Sequence, residues 1–138
     1  MRRACLALVV LVLQHATAWA DEPLLSMADL MALVIDPAAG VLDPATHRDA
    51  QRRPRTPEAW QAVDEAAQAL DRAAEVLREP GWSLGRADWL RAVAELREGA
   101  RSSAAAARAR DPKRLADAGE QLSAACAGCH ARHAPDQR

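Results

Sequence analysis

The chain has 138 residues, with 18 Lys and Arg against 19 Asp and Glu and a formal net charge of −1. That balance gives no electrostatic case for nucleic acid as a partner, and the length suits one domain. There is no Phe and no Tyr, so a core must be filled by small aliphatic side chains or by bulk from elsewhere.

Met1-Arg2-Arg3 is a short positive start, Ala4 to Leu13 is an almost unbroken apolar run, and Ala18-Trp19-Ala20 precedes Asp21-Glu22-Pro23. Positive start, short apolar middle and small-x-small site form the pattern of a cleaved secretory signal over residues 1–20. Ten apolar residues fall short of the roughly 20 that cross a bilayer. Nothing downstream is longer and apolar, so a soluble exported protein without stable membrane insertion is expected. Cleavage leaves residues 21–138 as one domain, takes the formal charge to −3, and removes Cys5, so that Cys126 and Cys129 are the remaining cysteines.

The remainder reads as four helices without a convincing strand or internal repeat. The first is expected from about Leu24 to Leu42, with Met27, Met31, Val34, Ala38 and Val41 on one face and a kink or split at Pro37, which lacks an N–H and crowds the preceding turn. A polar linker follows, Asp43 to Arg55, containing His47 and four arginines that read as a solvated loop. Thr56-Pro57-Glu58 is a cap, a first-turn proline and an acid at the positive end of the dipole. It opens a second helix with Trp60, Val63, Ala67, Leu70, Ala74 and Leu77 inward, ending at Pro80-Gly81. The third runs from about Arg86 to Arg108 with Trp89, Val93, Leu96, Ala100, Ser103 and Ala107 inward. Asp111-Pro112 repeats the cap-then-proline start. The fourth helix carries Leu115, Ala118, Leu122, Ala125 and Cys129 on one face and ends between His133 and Pro135. Alternating steps of three and four are the seam spacing of a left-handed bundle, and mostly short links favour an all-α, antiparallel four-helix arrangement.

Cys126-Ala127-Gly128-Cys129-His130 reads C-x-x-C-H, the attachment signature of a c-type haem. On a helix the two sulfurs fall on one side, suited to the two vinyl groups along one edge of a macrocycle. His130, one turn after Cys126, can reach the iron from the same side. The motif predicts one covalent haem c held by Cys126 and Cys129, with His130 as an iron ligand. Other readings stay open: a disulfide, a thiol redox pair, or a zinc site of Cys126, Cys129, His130 and His133, although structural zinc usually draws ligands from two separated segments. No nucleophile–base pair, phosphate loop or carboxylate pair argues for an enzyme.

With C-x-x-C-H on its last helix, the chain resembles the class II cytochromes c, the four-helix group that includes cytochrome c prime. Met31-Ala32-Leu33-Val34-Ile35-Asp36-Pro37-Ala38-Ala39, the Thr56-to-Trp60 start and Trp89 add to the resemblance, which spans most of residues 21–138. It departs where the group commonly has an aromatic residue, at His133, and a following basic residue, at Ala134. The resemblance implies periplasmic electron transfer, with redox proteins as partners and homodimerisation left open, or else binding of nitric oxide or carbon monoxide at an open iron position. It also implies Met31, from the first helix, as the second metal ligand opposite His130, with Met27 one turn earlier as the alternative. In an up-down-up-down arrangement Leu77, Trp82 and Trp89 are expected near the haem, and Trp60 at the opposite end.

Overall fold

The computed structural model describes residues 25–49 and 51–133. The signal-peptide reading, the expected helix start at Leu24 and the residues after His133 lie outside them. Every regular element among the described residues is helical. We number them α1 (Met27–Leu30), α2 (Asp36–Thr46), α3 (Pro57–Arg78), α4 (Pro80–Ser83), α5 (Ala87–Ala109) and α6 (Pro112–His133), with a π-helical segment, Met31–Ile35, joining α1 to α2.

The helix starts follow from local chemistry. Ser26 caps α1 through a capping box, its hydroxyl accepting from the Asp29 amide while the Asp29 carboxylate accepts from the Ser26 amide. Thr56 accepts from the Ala59 amide and Pro57 takes the first position of α3. Asp111 accepts from the amides of Lys113 and Arg114 at the head of α6. Each such cap contributes about 1 kcal/mol. Between α5 and α6 the chain turns at Arg110, which takes a left-handed conformation with φ of 51°. No helix among the described residues is long and apolar enough to cross a membrane.

The expected stripes of α3 and α6 are found, and Trp60, Val63, Ala67, Leu70, Ala74 and Leu77 are all buried. So are Leu115, Ala118, Leu122 and Ala125, while Cys129 is half-buried. In α5 the stripe is buried except for Leu96, which is half-buried. The first helical stretch differs from its sequence pattern. It does not split at Pro37 but widens just before it, where the Asp36 amide donates to the Met31 carbonyl. Pro37 has no N–H to offer, and its ring would crowd the Leu33 carbonyl in a regular turn. A π turn carries one extra residue, so the inward face downstream is Ile35, Ala38, Leu42 and Ala45, while Val41 is exposed. The helix also continues beyond Leu42 to Thr46, with Pro44 inside it. Gly40, whose carbonyl loses its amide partner to Pro44, is exposed and can be hydrated.

Packing is uneven. α5 lies against both α3 and α6 with extensive contact, whereas α2 touches α3 and α6 more sparingly. The α3–α5 pairing runs in opposite chain order: Asp64 meets Arg108, Asp71 meets Arg101 and Arg97, Glu75 meets Arg97, and the Leu77 carbonyl accepts from Trp89 Nε1 at 2.8 Å. The core is largely alanine and leucine. The largest fully buried side chains are Leu115, Val93 and Ser103, and a buried leucine contributes roughly 1.5–3 kcal/mol.

Candidate functional site

The cysteine motif lies in the last two turns of α6. Cys126 and Cys129 are half-buried free thiols, and His130 is exposed overall. All three border a cavity of about 190 Å³. Its opposite wall is the first helical stretch, which contributes Met31, Ile35, Asp36 and Ala39. Leu77 from the end of α3, together with Ala92, Val93 and Leu96 of α5, closes the apolar back, and Ala125 completes the α6 side. Met31 therefore faces the same space as Cys126, Cys129 and His130. Met27 packs on the core but does not border the cavity.

A second cavity of about 370 Å³ adjoins the first, sharing Ala39 and Cys126 and running between α2 and α6 to Thr46 and Gly119. There the helices close up: a Cβ on Gly119 would collide with the Thr46 side chain. Just beyond, Arg48 donates to Asp117 and Glu120 at 3.1 and 2.9 Å. The start of the linker is thus tied to α6, contrary to a purely solvated loop, about two turns from Cys126. His47 shares that end, exposed and 3.9 Å from Asp43, far from the cysteine motif.

His133 takes the place where the family resemblance would put an aromatic, and it behaves as one. Its ring meets the Trp89 ring edge-on, with centroids 5.1 Å apart, and its side chain is only 6% exposed. Nε2 lies 3.8 Å from an Asp88 carboxylate oxygen and has no hydrogen-bond partner. The Arg86 guanidinium covers the Trp89 ring at 5.1 Å. Leu77 borders the cavity and Trp89 touches His133, one turn past His130, so both stand at the cysteine end. Trp60 lies one turn from Asp64, which pairs with Arg108 at the other end of α5.

The electrostatics of the thiols bear on their chemistry. Burial, then the neighbouring Cys129 and Asp36, pushes the Cys126 thiol up; burial chiefly does the same to Cys129, partly opposed by Arg132. Neutral thiols are poor nucleophiles, whereas reactive redox pairs depend on a lowered pKa. Among the described residues no three His, Cys, Asp or Glu side chains gather into a metal-binding group, so Cys126, Cys129, His130 and His133 do not converge as a zinc site would require.

Sequence reasoning found Met31, Cys126, Cys129 and His130 among the cavity's members, and the stripes found Leu77, Val93, Leu96 and Ala125. It missed Ile35, Asp36, Ala39 and Ala92, because those positions depend on the rotation introduced by the π turn and on which flank of α5 meets the cavity. No family model matches the chain, and comparison with curated proteins and with solved structures gave no significant match.

Proposed function

We propose that the chain is an exported, periplasmic, monohaem c-type cytochrome that transfers electrons, built as an antiparallel four-helix bundle of the class II cytochrome c kind. One observation carries the reading: an apolar cavity is bordered on one side by Cys126, Cys129 and His130 and on the other by Met31. That donor set fits the group. Cys126 and Cys129 would hold it covalently, His130 would bind the iron, and Met31 would supply a second iron ligand. Bound haem supplies a one-electron iron couple, whose potential rises with a His/Met ligand pair and depends on burial. The apolar walls of Leu77, Val93 and Leu96 would exclude water from the iron's surroundings.

The volume of about 190 Å³ is below the roughly 300–1,000 Å³ of pockets that enclose such ligands. Accommodation therefore requires the first helical stretch to stand further from α6. The contacts there are sparse, and the adjoining cavity extends the same seam. The raised thiols weigh against a thiol redox pair, and the lack of a converging group among the described residues weighs against zinc.

The test is the ferric spectrum of protein matured with haem-attachment machinery. The wild type should be low-spin with a weak far-red band. Met31→Ala should lose that band and let carbon monoxide bind the ferrous form readily, while Met27→Ala should do neither. A high-spin wild type that binds carbon monoxide at once would discard Met31 ligation and make gas binding the function.

A further inference from the structure

We infer that Pro37 is a positioning residue: through the π turn it induces, it turns Met31 from the middle of the core stripe onto the flank that borders the cavity shared with Cys126 and His130, while Met31 still packs against the core. The inference rests on the cytochrome reading for its purpose but not for its geometry.

In an unbroken α-helix each residue turns by about 100°. The core stripe of α2 is Ile35, Ala38, Leu42 and Ala45, all buried. Counting back from Ile35 along a regular helix, Met31 would lie about 40° from Ile35, in the middle of that stripe. Leu30 would lie about 140° from Ile35 and about 100° from the middle of the stripe, off the core. The flank of α2 that borders the cavities against α6 is on the other side, where Ala39, Asp43 and Thr46 sit about 20–80° from Ile35. A regular helix would thus send Met31 away from α6 and turn Ala32 towards it.

The observed arrangement is the reverse. Leu30 is 5% exposed, in the core, and Met31 borders the cavity with Ala39 and Cys126. One extra residue in the Met31–Ile35 turn accounts for both, because it rotates everything before it by about 100°. Leu30 moves into the middle of the stripe, and Met31 moves by the same roughly 100° to about 60° from Ile35, on the flank that borders the cavities. The source of the extra residue is local. Pro37 gives no amide to the Leu33 carbonyl and crowds it, and the wider turn, closed by the Asp36 amide on the Met31 carbonyl, relieves that crowding. Ser26 and Asp29 fix the start of the stretch, so the rotation is taken up between the capping box and Pro37.

The test uses the mature protein produced with haem-attachment machinery, in three forms: wild type, Pro37→Ala, and Pro37→Ala combined with Met31→Leu and Ala32→Met. Two readouts are taken on each, the far-red band of the haem-loaded ferric protein and, on the same chain produced without that machinery, the contacts of the methionine ε-methyl group seen by NMR. The wild type should show contacts from the Met31 methyl to Ala125 and Cys126, together with the band. Pro37→Ala should lose both at unchanged helicity, as a regular helix returns Met31 to the core side. The triple variant should regain both, through its introduced methionine, because position 32 of a regular helix faces the cavity. Retention of the Met31 contacts in Pro37→Ala, or failure of the triple variant to recover them, would overturn the inference. A wild type with no covalent haem would overturn the cytochrome reading alone, since the methyl contacts still decide the role of Pro37.

Discussion

The fourth long helix, α6, has two neighbours, and it is held by them in opposite ways. Against α5 it is closely packed. A Cβ on Gly99 would come within 2.9 Å of Leu122, and Leu115, Ala116 and Ala118 on the facing surface are almost wholly buried. Against α2 it is pinned at one end, where Gly119 admits Thr46 and Arg48 bridges to Asp117 and Glu120, and parted from it by two adjoining cavities towards the cysteine end. The α5 seam is closed, while the α2 seam leaves a cavity lined by Met31, Cys126, Cys129 and His130.

The contrast can be broken most severely from the tight side. Leu115, at 0% exposure, should cost about 2–5 kcal/mol when replaced by Ala, because the removed methyl groups leave a cavity in a surface that cannot collapse. Chemical denaturation of Leu115→Ala measures it. A smaller and more pointed pair follows. Ala100, also 0% exposed in α5, should lose about 1–3 kcal/mol on Ala100→Leu through overpacking. Ala39→Leu adds the same atoms at a position shared by both cavities, and should change the stability of the haem-free chain by no more than about 0.5 kcal/mol. Equal losses at both positions would mean that the two seams do not differ.

Glycines repeat the contrast within α6 itself. Gly119→Ala forces a Cβ against Thr46, whose hydroxyl is already committed to the Asp43 carbonyl. Its destabilisation should be about 1–3 kcal/mol. A Cβ at Gly128 meets only the flexible guanidinium of Arg132, at 3.3 Å. Gly128→Ala should therefore stabilise the haem-free helix, by up to about 1 kcal/mol.

Much of this was legible in the sequence. Thr56-Pro57 and Asp111-Pro112 mark two helix starts because their capping chemistry is local, and Trp60 to Leu77 forms a stripe because α3 is regular throughout. The motif from Cys126 to His130 needs only its spacing to be read. The first helical stretch was harder for a physical reason. Steps of three and four fit Met31, Val34, Ala38 and Val41 as well as they fit a true core, and one residue absorbed in a π turn moves the downstream face from Val41 to Leu42. Pro37 signalled a disturbance there but not its form. The approach of Thr46 to Gly119, the edge-on contact of His133 with Trp89 and the pairing of Arg48 with α6 join residues many positions apart, and no local pattern announces them.

The smallest expected effect concerns the thiols of the folded, haem-free chain. Burial raises both, and burial favours the neutral form. Each folded pKa thus stands above its unfolded value, so alkylation as a function of pH should show a midpoint displaced upward from that of the unfolded chain. The native state then gains protons relative to the unfolded one between the two values, and stability should fall as pH rises through that window. A midpoint displaced downward would revive the reading of Cys126 and Cys129 as a thiol redox pair.

The central claim is that the open seam holds a covalent haem, and the mass of the matured protein tests it most directly. Expressed from residue 1 with haem-attachment machinery, the chain should be recovered as residues 21–138 carrying one haem, which acid–acetone extraction does not remove. Cys126→Ala or Cys129→Ala should weaken that attachment. Recovery of the unmodified polypeptide mass from the same cells, with both thiols still free, would contradict the account.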